Sequence, residues 1–407
     1  MKTDHVERLD RKRIEIANIV SLLMGFSQSI LAYVLSSYFK IASGSENVGT
    51  FYMVAYVISL VILLNLHKIV RLIGKANVYY FALIAKIISV TLLIFLDPSR
   101  LGIALLMIYL IAVNVEWTTL DVILESYSTD KKSGRIRGLH LTILNAGFLF
   151  GPLISAKILD VMSYQGIFFF ALVSSALTLA FALPAFRNIN HRFEQKLKVA
   201  EMIRKVISRK DLLRIYYVSF SLEFFYALMV VYTPLYLLDL GYSWDKIGII
   251  FTIMLVPFVV LQYPMGILAD KKFGEKEFLI FSVFLMGIST FMIFFIGAAS
   301  VAVWASILFI TRVGAALVEI LRDSYFFKRI DGYDVDMINF FRTAVPMAYI
   351  LGTMVATLAV FFFSTRFIFL IIAAVVLSAL YPAFKLADNK SEKEMAHEQY
   401  VLAEERQ

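Results

Sequence analysis

Several ionisable side chains stand inside long apolar stretches of this sequence. Glu116, Glu223, Arg312 and Glu319 lie within such runs, with Asp121, Glu125 and Asp323 nearer their ends. An acid that can exchange a proton near neutral pH is the raw material of proton transfer. Glu223 has no charged neighbour in the sequence, which makes it the sharpest candidate, followed by Glu116. Arg312, Glu319 and Asp323 fall at i, i+7 and i+11 and therefore share one helical face. On that face Arg312 would hold a neighbouring carboxylate in its charged form or attract an anionic group. For Glu125 and Asp323 the expectation is an ion pair with a nearby Arg or Lys. Tyr33, Trp117, Phe220, Phe224, Tyr226 and Tyr232 are the aromatic residues expected to line an apolar cavity able to stack against a small solute. Lys157 can extend its charge toward an interface. Lys86, by contrast, needs a partner that local sequence does not name.

Other chemistries are excluded by what is missing. The chain contains no cysteine, so thiolate catalysis, disulfides and Cys-ligated metals are ruled out. Its five histidines show no H-x-x-H spacing or carboxylate pairing on a helix, so no metal site is expected. No G-x-x-x-x-G-K-[ST] phosphate loop exists, which removes ATP hydrolysis by this chain. No cofactor is implied. Loops carry no cluster of catalytic acids or histidines, so an enzyme is disfavoured.

The elements that must position the buried charges follow from composition. Of 407 residues, 60% are hydrophobic and 17% charged, and the mean hydropathy is +0.78. A soluble domain uses about 25% charged residues to cover its surface. A lipid-spanning helix needs roughly 20 apolar residues, and twelve segments qualify. In the first half they are Ile16–Phe39, Val48–Leu66, Ala76–Leu96, Leu101–Leu124, Leu139–Met162 and Ile167–Ala185. In the second they are Leu213–Leu238, Ile247–Ile267, Glu277–Ala298, Val301–Leu321, Ile338–Phe363 and Arg366–Phe384. Runs such as VSLLMGF do not alternate, so helices rather than barrel strands are predicted.

Charge placement predicts orientation. Lys and Arg gather at the N-terminus and in the even-numbered loops, which places both termini in the cytoplasm of a plasma (inner) membrane protein. The net charge of +8 is accounted for this way, without nucleic acid. The first span lacks a cleavage site and is expected to be retained. Residues 1–186 and 212–385 form two six-span units. Residues 187–211 join them as a basic amphipathic linker suited to anionic headgroups, and 386–407 form a charged cytoplasmic tail.

The two units repeat each other. DVILESYSTDKKSG from Asp121 aligns without a gap with EILRDSYFFKRIDG from Glu319, at an offset of 198. A fainter match relates Gly74 to Gly274 at an offset of 200. Such duplication is the usual architecture of secondary transporters.

GILADKKFGEKE, from Gly266, resembles the loop signature of the major facilitator superfamily. Gly266, Asp270, Lys271, Gly274 and Lys276 occupy family-like positions, and Glu275 replaces a usual basic residue. In the first-half copy Leu66 and Val70 stand where the first Gly and the Asp belong. Gly147-Phe-Leu-Phe-Gly151-Pro152 resembles the G-x-x-x-G-P core of a drug:proton antiporter motif, though Ser155-Ala156 follows instead of Gly-Gly. YTPLYLLDLGYSWDKIG, from Tyr232, is similar to the family's junction between spans seven and eight. The resemblance implies an all-α fold of two six-helix bundles related by a pseudo-two-fold axis along the membrane normal. It implies a secondary transporter of a small organic solute, proton-coupled and working as an exporting antiporter. It also implies an inner gate latched by Asp270 near the start of the fifth span, by Arg135 or Arg137. Glu116, Glu223 and Arg312 are then expected to line or border the cavity between the bundles. A non-transporting receptor or assembly protein of the same fold is the alternative, and a polytopic membrane enzyme stands behind it.

Overall fold

The computed structural model describes residues 11–45, 47–125, 133–186, 204, 206, 208–269, 274–330 and 335–387. Among these residues there are helices and their connections but no strand. Lipid leaves backbone N–H and C=O groups without partners, and a helix satisfies them internally. Buried hydroxyls obey the same rule. Ser21, Ser59, Ser89 and Thr119 each donate to the carbonyl four residues earlier.

Ten helices are long and apolar enough to cross a membrane. One of them, Gly138–Ala185, is 48 residues long and contains Ser163 at φ 55° and ψ −160°, which divides it into two spans. The helices Gly49–Leu64 and Leu66–Ile73, bent by 57°, form one more. Counted so, the described residues hold twelve spans. The first comprises Arg11–Ala32 and Leu35–Ser43, the third Lys75–Ile94 and the fourth Arg100–Glu125. The fifth runs through Ser133–Leu149 and on from Gly151, and 164–185 is the sixth. The seventh to tenth are Lys210–Asp239, Trp244–Leu268, Lys276–Ile293 and Val301–Lys328. The eleventh joins Val335–Arg342 to Ala344–Phe362, and the twelfth joins Phe367–Ser378 to Leu380–Phe384.

Several spans extend beyond the apolar segments, and the second and eleventh are broken at a polar residue. Asn65 interrupts the second, its side-chain amide donating to the Val61 carbonyl, and a more polar helix follows. Thr343 interrupts the eleventh, its hydroxyl donating to the Phe340 carbonyl.

Packing repeats with a shift of six spans. Span 1 packs on 5 and 6, 3 on 4 and 6, and 2 on 4. Likewise span 7 packs on 11 and 12, 9 on 10 and 12, and 8 on 10. Between the bundles, span 5 meets 8 and span 2 meets 11, and the shift converts one pair into the other. Asp121 and Glu319 accordingly sit on the fourth span of their respective halves. At the repeated loops Gly74 and Gly274 both have positive φ, 84° and 69°, a conformation that glycine adopts without the Cβ penalty.

Spans 1 and 5 approach closely at the fifth-span motif. A Cβ on Gly147 would lie 2.1 Å from the Leu22 carbonyl oxygen, and one on Gly151 would lie 1.9 Å from Ser29 Oγ. The motif's small residues thus seat span 5 against span 1. Gly147→Leu is expected to lower stability by about 1–3 kcal/mol, the usual cost of overpacking. Thermal unfolding in detergent reads it, and an unchanged midpoint would contradict the close approach.

Candidate functional site

A cavity of about 270 Å³ lies between the bundles. Its walls come from spans 1, 2, 4, 5, 7, 8, 10 and 11, while 3, 6, 9 and 12 contribute nothing to it. Four carboxylates (Asp121, Glu223, Glu319 and Asp323) and three guanidiniums (Arg312, Arg322 and Arg342) line it.

These charges are organised by pairing. Arg322 Nη2 donates to Glu223 Oε1 at 2.6 Å, and its Nη1 donates to the Ser219 hydroxyl and carbonyl. Arg342 Nη2 donates to Asp323 Oδ2 at 3.0 Å, and its Nε lies 2.7 Å from Asp121 Oδ2. That second contact is a charge contact rather than an aligned hydrogen bond, because Nε is not directed at the oxygen. Asp121 belongs to the first bundle and Arg342 to the second, so this pair ties the bundles together at the face where span 4 ends and span 11 begins. At the opposite face Lys40 meets Asp239 at 3.5 Å and Thr357 donates to Asn47 at 2.8 Å. The two bundles are thus joined at both faces.

Glu319 is arranged differently. It accepts from Gln262 Nε2 at 2.7 Å and, more weakly, from the Tyr226 hydroxyl at 3.5 Å. Gln262 in turn accepts from Asn145 at 3.1 Å, which carries the chain of hydrogen bonds into the first bundle. Among the described residues no Lys or Arg stands within ion-pair distance of Glu319.

Arg312 lies two helical turns from Glu319, about 10 Å along the span. It is 2% exposed, its guanidinium sits 4.7 Å from the centre of the Phe225 ring, and its Nη1 has no hydrogen-bond partner. The expectation that Arg312 holds a neighbouring carboxylate is therefore not met.

Glu223, Asp121, Glu319 and Arg312 line the cavity, but Glu116 does not. It faces span 3 inside the first bundle, where Lys86 Nζ donates to it at 2.6 Å and the Tyr79 hydroxyl at 3.3 Å. This also supplies the partner that Lys86 lacked. Glu223 has its charge partner in Arg322, 99 residues away, which corrects the picture of an isolated acid. Asp323 pairs as expected.

Of the six expected aromatics, Tyr33, Trp117 and Tyr226 line the cavity. Phe224 is buried against Gly352, and Phe220 packs on the apolar core beside it. Tyr232 lies toward the opposite face, its hydroxyl near Gly49. Those three point elsewhere because neighbouring helical positions turn by about 100°. Sequence reasoning missed Tyr56 and Tyr349, which stack at 3.8 Å across the bundle interface, and Arg322 and Arg342. Arg322 was findable, since it interrupts an apolar run immediately before Asp323.

At the gate motif Gly266, Gly274 and Lys276 are described, whereas Asp270 and Lys271 lie outside the described residues, as do the side chains of Arg135 and Arg137. Glu275, the departure from the family pattern, is buried and accepts from Ser324 Oγ at 2.8 Å and Lys328 Nζ at 2.5 Å. An acid there joins the loop to the end of span 10. Most of the linker 187–211, and the tail beyond Ala387, lie outside the described residues.

Two six-span bundles that repeat each other's packing line one charged cavity between them. The sequence matches the Major Facilitator Superfamily over residues 17–331 and 245–399, and the chain belongs to that family. The family makes it a secondary transporter, not an enzyme, embedded in a membrane with a small-molecule substrate. Among solved structures it is similar to the human organic anion transporter MFSD10 (TETRAN), with a TM-score of 0.71 and 13% identity. That match covers 92% of this chain and 99% of the other. No curated protein sequence matches it.

Proposed function

We propose that the protein moves a small organic solute across the plasma (inner) membrane in a proton-coupled cycle, with both termini in the cytoplasm. The observation that carries this reading is Glu319. It borders the central cavity with an amide and a phenol as partners and no cation within ion-pair distance, so among the four carboxylates lining the site it is the one without an ion pair. A carboxyl in that setting can take up and release a proton without breaking an ion pair. The pairs Asp121–Arg342 and Lys40–Asp239 are suited to alternate opening, since each joins the two bundles at one face. An aromatic lining supports an amphiphilic or aromatic solute, and the likeness to a human organic anion transporter supports a small organic one.

Exchange against protons in the outward direction is supported only by the fifth-span resemblance, whose glycines have a packing role here. A basic linker beside anionic headgroups is supported by its composition. The gate role of Asp270 rests on the signature loop alone.

The test is flux in vesicles. Solutes that raise the unfolding temperature of the purified protein are selected first, because binding stabilises by mass action. Each is then followed in proteoliposomes with and without an imposed pH gradient, in both gradient directions. Accumulation that follows the gradient supports the proposal and reads the sense of coupling. Binding without flux would instead favour a receptor of transporter fold.

A further inference from the structure

We propose that Arg312 anchors the acidic group of an aromatic organic anion, whose rings lie against the aromatic wall of the cavity. This rests on the reading of the cavity as the solute site and names its substrate class. Of the three arginines lining the cavity, two are committed: Arg322 to Glu223 and Arg342 to Asp121 and Asp323. Arg312 is not. It is buried, and among the described residues no carboxylate comes within ion-pair distance of it. One of its terminal nitrogens has no hydrogen-bond partner.

The protein offers Arg312 only partial compensation. Phe225 presents its ring to the guanidinium, and Tyr33 is its polar neighbour. A cation over a ring gains less than the pairing of a buried guanidinium with an oxyanion, so a counter-charge is still missing. An unpaired donor on a fixed planar fork, facing a cavity, is a receptor for a carboxylate, sulfonate or phosphate oxygen. The same walls specify the remainder of the ligand. Tyr33, from the first bundle, and Tyr226, from the second, both line the cavity beside Arg312. Each extends into a further ring, Phe251 at 4.8 Å and Phe258 at 6.2 Å. A solute with its acid on Arg312 would touch both bundles through its rings, which is where a transported solute must sit to sense their movement.

The experiment uses the purified full chain in neutral detergent, with no gradient, and matched naphthalene probes. These are 2-naphthoate and naphthalene-2-sulfonate, the neutral 2-naphthamide, and the cationic 2-naphthylmethylammonium. Dissociation constants come from the dependence of unfolding temperature on ligand concentration. At least one anion is expected to bind ten times or more tightly than the amide, and the ammonium least. In Arg312→Gln the preference for anion over amide should vanish while the amide's own affinity persists. Should that variant fail to fold, Arg312→Lys decides, with at least a threefold loss for the favoured anion and no change for the amide. The proposal is overturned if no anion exceeds the amide in the unaltered protein. It is equally overturned if the ammonium binds best, if the preference survives in Arg312→Gln, or if Arg312→Lys leaves anion affinity unchanged. Anion preference without vesicle flux would keep the anchor and remove transport, whereas flux without anion preference would do the reverse.

Discussion

Glu319→Gln is expected to abolish solute accumulation driven by a pH gradient while leaving exchange of labelled against unlabelled solute within about twofold of the original, since distant contacts are unaltered. The amide is nearly isosteric with the acid and can still accept from Gln262 through its carbonyl oxygen. The neighbouring pairs Arg322–Glu223 and Arg342–Asp323 do not involve it, so they should persist. What disappears is the ability to bind and release a proton in the cavity. Glu223→Gln should behave otherwise. It leaves Arg322 without the carboxylate at 2.6 Å and should damage stability and exchange together, because an orphaned buried charge is costly. Gradient-driven accumulation at the original rate in Glu319→Gln would remove Glu319 from the coupling step.

The second large effect is on stability, at a pair inside the first bundle that does not line the cavity. Lys86 and Glu116 are both fully buried and 2.6 Å apart within the first bundle. Removing one leaves the other charged among apolar side chains, so Lys86→Met and Glu116→Leu are each expected to cost about 3–5 kcal/mol. The double variant should recover most of that loss, since a well-packed apolar pair of similar volume often replaces a buried ion pair at no cost. The second half of the chain already contains such a solution. At the repeat offsets of 200 and 198, Lys86 corresponds to Met286 and Glu116 to Gly314. A Cβ on Gly314 would lie 2.7 Å from the Met286 backbone nitrogen, so spans 9 and 10 meet by direct packing where spans 3 and 4 meet through charge. Unfolding midpoints of the two single variants and the double variant form the measurement. Single variants as stable as the original, or a double variant worse than either single one, would show that the pair is not acting as a compensated unit.

Much of the architecture was legible in the sequence because the relevant signals are local. The apolar segments, their number and their duplication depend on hydropathy within about 20 residues, and a bilayer imposes that length on each span independently. The alignment of Asp121 with Glu319 placed both on the fourth span of a half, and the structure puts them there. Cavity residues on the right spans were also accessible, as Glu223, Arg312, Tyr33 and Tyr226 demonstrate.

Partner identity was not accessible, because it depends on how each helix is rotated about its axis and which neighbour it meets. Glu116 and Asp121 lie on the same span five residues apart, yet one turns toward Lys86 and the other across the interface to Arg342. Phe224 and Tyr226 are two positions apart, and only the latter reaches the cavity. Five or two residues on a helix amount to a rotation through a large angle, and hydropathy cannot distinguish those faces when all of them are apolar. The sequence by itself therefore determined that charges are buried in this protein and on which spans. Tertiary packing alone decided that, of the described charges lining the cavity, Glu319 and Arg312 are the two without an ion pair, since compensation of a buried charge depends on groups tens to hundreds of residues away along the chain.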